Sequence, residues 1–172
     1  MGMEQFVRDA RIAMIYEGAN GVQALDLVGR KLPKDGGRAV MAFFGDVSQF
    51  LAANKEDAAL APYLGGLQAA LGHLQQATLW LSKNGLADPN NAGAASTDYM
   101  HLFGLTAFGY MWARVVKAVL VRQAKGDSNP ALDAKLTLAR FFSERMLPET
   151  GAHLACLSAG AATLMALPAE AF

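Results

Sequence analysis

A chain of 172 residues with 53% hydrophobic and 17% charged side chains has material for one domain, or a domain with a short appendage, and excludes disorder as its main state. Fifteen basic and fifteen acidic residues cancel to a net charge of zero, and no Lys/Arg cluster marks a nucleic-acid or anionic-membrane surface. The lone cysteine, Cys156, excludes an intrachain disulfide and is expected to be a buried small hydrophobe in a reducing, cytoplasmic setting.

Helical spacing of apolar residues runs through almost the whole chain, and strand-like alternation is nearly absent. Gln5 to Ile15 reads as a helix with a charged edge of Arg8, Asp9 and Arg11. Those charges stand where a secretory signal needs an apolar core. Tyr16 to Gly21 carries two glycines and an asparagine, so it reads as a loop. A second helix is expected from Val22 to Lys31, with Asp26 and Arg30 placed for an i,i+4 ion pair. Pro33 and Gly36-Gly37 end this first section.

Four longer helical segments follow. Arg38 to Asn54 puts Val40, Phe43, Phe44, Val47, Phe50 and Leu51 on one stripe. Leu60 to Ser82 carries a heptad-like seam at Leu60, Leu64, Leu67, Leu71, Leu74, Thr78 and Leu81, suited to near-antiparallel bundle packing, with Asn84-Gly85 as its stop. Asp88 to Ala95 reads as a polar connection and Ser96 as the N-cap of the next helix. That helix runs to Ala124 with Gly126 as cap, its stripe including Tyr99, Leu102, Phe103, Thr106, Tyr110, Ala113, Lys117 and Leu120. Asn129-Pro130 starts the last long helix, which Pro148 should interrupt before an end near Gly160. The tail from Leu167 either lies against the surface or frays. Apolar runs are broken by charge or glycine short of the ~18 residues of a membrane span, so a soluble protein without membrane insertion is expected. The fold class is all-α, an antiparallel bundle of four long helices (residues 34–172) preceded by a helix-loop-helix segment (residues 1–33).

Chemistry is sparse. His73, His101 and His153 sit on three different segments, and none forms the Glu-x-x-His pattern of carboxylate-bridged di-iron bundles. Glu149 and His153 are four apart, a spacing that reads as a surface contact, so no metal site is expected. Phosphate-binding loops and nucleophile elbows are absent from the sequence. Trp80 and Trp112 read as core residues. The exception is Glu17, a carboxylate in a loop between two helices beside the ring of Tyr16. Apolar surroundings there would disfavour the carboxylate's charged form and tune it for general-base work.

The run from Arg8 through Ile15-Tyr16-Glu17-Gly18-Ala19-Asn20-Gly21 to Gln23 resembles the catalytic-glutamate segment of the acyl-CoA dehydrogenases. That resemblance implies an FAD enzyme in which Glu17 abstracts the α-proton of an acyl-CoA thioester while the β-hydride passes to the flavin. It places Tyr16 and Gly18 at the acyl or thioester end, and the Ala19, Asn20 and Gly21 backbone near the flavin or its diphosphate. Ala19 stands where the family usually has threonine, so one hydroxyl contact to the cofactor, worth ~1 kcal/mol, is expected to be missing.

Downstream, Ala139-Arg140-Phe141-Phe142, Met146-Leu147-Pro148 and Leu164-Met165-Ala166-Leu167 are similar to an extra C-terminal helical domain of a larger subfamily, methylmercaptopropionyl-CoA dehydrogenase-like. The resemblance therefore implies a C-terminal piece of a longer enzyme, inactive alone and without bound FAD. The longer enzyme would be a homodimer served by an electron-transfer partner. The alternative is a non-catalytic structural or dimerisation module.

Overall fold

The structure, a computed structural model, describes residues 3–15 and 19–171. Among the described residues there is no strand, and seven α-helices are present: α1 (Met3–Arg11), α2 (Ala19–Asp26), α3 (Arg38–Asn54), α4 (Ala61–Trp80), α5 (Pro89–Ala124), α6 (Pro130–Phe141) and α7 (Glu149–Ser158). The all-α expectation holds. So does the Asp26–Arg30 ion pair, which together with Lys31 holds the Asp26 carboxyl down to about 2. Arg30 and Lys31 are exposed and Asp26 is only half-buried, so the pair adds little to stability.

α5 is the spine of the bundle, with α2, α4, α6 and α7 packed along it. The α4 seam faces inward as its spacing predicts: Leu60, Leu64, Leu67, Leu71, Leu74 and Leu81 are all buried. Thr78, the polar member, gives its hydroxyl proton to the Leu74 carbonyl at 2.8 Å. The fully buried Tyr99 of α5 lies 2.9 Å from the Thr78 hydroxyl oxygen, whose proton is already given away, and therefore donates to it. α3 packs on α4 and reaches α5 through its rings, Phe43 stacking on Phe103 at 5.0 Å and Phe50 meeting Tyr110 edge-on at 5.5 Å. Trp80 and Trp112 pack, partly buried, against the two halves of the core.

Burial pushes the Tyr99 phenol up to about 12, the bond to Thr78 pulling weakly the other way. A phenol free in the unfolded chain ionises near 10, so the fold holds a proton that the unfolded chain releases between those values. Stability should fall as pH rises from about 10 to about 12. Tyr99→Phe, which removes the group, should flatten that part of a denaturation-versus-pH curve; an unchanged slope would mean the phenol titrates normally.

Several boundaries differ from expectation. α2 begins at Ala19, so Ala19, Asn20 and Gly21 form a first helical turn and not a loop. Weak helix formers are tolerated in a first turn, and burial of Ala24 and Val28 against the core holds the helix in place. The connection expected over Asp88 to Ala95 is also helical from Pro89, because the Asp88 carboxylate accepts the Asn90 N–H at 2.9 Å and caps α5. Ser96 is consequently a buried mid-helix residue, its hydroxyl turned back to the Gly93 carbonyl. Lys117 is exposed, and Val116 and Val119 are buried in its place because α6 covers that side of α5. Cys156 is exposed, contrary to the buried reading, since α7 turns Thr150, Leu154 and Leu157 inward.

Other punctuation falls where the sequence puts it. Gly126 and Gly160 both take positive φ, and the Asn129 side chain accepts the Ala131 N–H to start α6. Before Pro148 the backbone widens, the Leu147 N–H reaching back five residues to the Phe142 carbonyl at 3.0 Å. That wide turn absorbs the proline and drops Leu147 between α4 and α5, against Gly66 and Gly109. Beyond Gly160 the tail is tied once, where the Asn91 side chain accepts the Ala161 N–H at 2.9 Å, and Leu164, Met165 and Leu167 stay exposed.

By length and composition α5 is apolar enough to cross a membrane, which the sequence reading did not expect. Its inward face is closed by α4 and α7, the arrangement of a bundle's central helix.

Candidate functional site

Of the residues singled out in the sequence, Tyr16, Glu17 and Gly18 lie outside the described residues. Their flanks are described. On the upstream side Ile12 and Ile15 are 49% and 72% exposed; on the downstream side Val22 and Leu25 are 66% and 55% exposed. These apolar side chains are left largely uncovered by the described residues. α1 buries no residue and has no substantial packing against the bundle.

Ala19 is half-buried, and Asn20 and Gly21 are exposed, all in the first turn of α2. Backbone amides toward the start of a helix lie at the positive end of its dipole, which favours a nearby anionic or carbonyl oxygen. Ala19 presents no hydroxyl to add to them.

A separate apolar groove of about 530 Å³ opens at the other end of α2, walled by Val28, Leu32, Val40, Leu81 and Leu86. Val28 is nine residues beyond Ala19, or roughly 13 Å along a helix at 1.5 Å per residue. The groove is therefore remote from Ala19. Its two hydroxyls, Thr78 and Ser82, donate to carbonyls of their own helix, and none of its lining residues is titratable. Such a surface binds apolar groups and performs no proton chemistry.

The histidines, scattered in sequence, all meet α7. Thr150 gives its proton to the Leu147 carbonyl and so accepts from His73 Nδ1 at 2.9 Å. His153 Nδ1 lies 2.8 Å from the Asp98 carboxylate, and its ring stacks on His101 at 5.4 Å. His153 thus pairs with Asp98 and not with Glu149. The 55 residues between the partners leave no sequence signal for that contact. Among the described residues no group of three His, Cys, Asp or Glu side chains is placed to hold a metal ion.

The bundle itself decides the relationship: residues 43–168, which span α3 to the tail, match the family described as acetyl-CoA dehydrogenase C-terminal like. The chain belongs to this family. It is 37% identical over 160 residues to the 3-methylmercaptopropionyl-CoA dehydrogenase of Ruegeria pomeroyi, covering 88% of this chain and 26% of that protein. It is 27% identical over 155 residues to the broad-specificity linear acyl-CoA dehydrogenase FadE5 of Mycobacterium tuberculosis, covering 85% and 25%. The chain spans about a quarter of the length of the curated relatives it matches. Coverage of 88% carries the first likeness upstream of residue 43, beyond the part matched by the acetyl-CoA dehydrogenase C-terminal-like family and toward the Glu17 segment.

Proposed function

We propose that this chain is the C-terminal part of an FAD-dependent acyl-CoA dehydrogenase, in which Glu17 is the base that removes the α-proton of the acyl-CoA thioester. The observation that carries the reading is the 37% likeness to an acyl-CoA dehydrogenase across nearly the whole chain. Residues 1–33 are then the end of the dehydrogenase's own helical domain and residues 34–172 its additional bundle. The left-handed Asp35, Gly36 and Gly37 between them suit a junction.

In the parent enzyme FAD, when bound, supplies the two-electron acceptor for the β-hydride. This chain's residues have narrower duties. Glu17 would take the α-proton, Tyr16 and Gly18 would line the thioester end, and the backbone of Ala19, Asn20 and Gly21 would lie near the flavin or its diphosphate. The positive end of the α2 dipole suits that last duty. Uncovered Ile12, Ile15, Val22 and Leu25 fit a base whose water-excluding walls come from the rest of the enzyme. The parent is placed in the cytoplasm, with an acyl-CoA substrate and an electron-transfer partner.

Alone, the chain should bind no flavin and turn over no substrate, because a base without a closed pocket and an acceptor cannot complete the reaction. Titrating FAD with the purified chain, with and without an acyl-CoA, should leave flavin fluorescence unquenched. Saturable quenching would show a working pocket in this chain and overturn the inactivity. The parent enzyme's flavin should be reduced by acyl-CoA; a parent whose flavin stays oxidised with every acyl-CoA offered would sink the assignment.

The second reading, a non-catalytic helical module, is favoured by one observation: an uncharged, solvent-facing seam on α5.

A further inference from the structure

We draw no further inference here: the strongest candidate, the apolar groove walled by Val28, Leu32, Val40, Leu81 and Leu86 where the end of α2 meets α3 and the turn between α4 and α5, carries none, because nothing in the structure shows what covers it in a chain that spans about a quarter of the length of its curated relatives.

Discussion

Replacing Leu147 with alanine should cost the bundle about 2–5 kcal/mol, the range for a buried leucine emptied into a core that cannot fully collapse. Leu147 is 2% exposed and sits where three elements meet, wedged into the space left by Gly66 of α4 and Gly109 of α5. A Cβ built on Gly109 would stand 2.8 Å from Leu147 Cδ2, and one on Gly66 would stand 3.4 Å from Cδ1. Gly109 lies in the middle of a 36-residue helix, where glycine is about 1 kcal/mol worse than alanine. Its place there follows from the leucine above it.

The sign of a second substitution should therefore depend on the first. In the intact chain Gly109→Ala gains helix propensity but drives a methyl into Leu147, and should destabilise. In the Leu147→Ala chain the same methyl fills part of the void, and should stabilise. Thermal melts of the four chains check this coupling. Leu147→Ala alone should lower the midpoint by roughly 10 °C, taking about 2–4 °C per kcal/mol at this chain length. Additive effects would mean that leucine and glycine do not share the space.

Much of this architecture is legible in the sequence because the informative signals are local. The α4 leucine seam, the Asn129-Pro130 start, the interruption at Pro148 and the glycine stops at 126 and 160 each rest on residues within a turn or two of one another. Misreadings occur where tertiary packing overrides local preference. Ala19-Asn20-Gly21 and Asn90-Asn91 look like loops, but in one case buried Ala24 and Val28 hold the helix, and in the other the Asp88 cap and the Asn91 tie to the tail do. Cys156 went wrong for a related reason. A stretch of small residues does not reveal which side of α7 faces α4 and α5, and Leu154 and Leu157 settle that orientation only once α7 is docked. The contacts of the histidines with α7 were out of reach, since each joins residues tens of positions apart. At the candidate site the sequence is more informative than the fold: Glu17 stands out by resemblance, whereas the described residues around it contribute exposed apolar flanks and the turn of α2 from Ala19.

Glu17→Gln in the full-length parent enzyme should lower turnover by about 10²–10⁴-fold, the range for a positioned general base. Glutamine keeps the shape and a hydrogen-bonding oxygen but cannot take the α-proton as a carboxylate does. Acyl-CoA should still bind, since the acyl chain and the coenzyme are held mainly by other parts of the enzyme, so KM should change far less than kcat. A proton-transfer readout separates loss of the base from a merely disturbed loop: exchange of the substrate's α-hydrogen in deuterated water should vanish together with flavin reduction. Lost flavin reduction with α-exchange intact would place the defect in hydride transfer, and Glu17 would then be a positioning residue. Turnover within tenfold of the unmodified enzyme would place the base elsewhere and leave the helical-module reading standing. Ala19→Thr in the same enzyme supplies the contrast. It restores the hydroxyl that the resemblance expects and should tighten flavin retention by roughly one hydrogen bond's worth, about 1 kcal/mol, without touching α-exchange. The two substitutions, two residues apart, would then separate the proton from the cofactor.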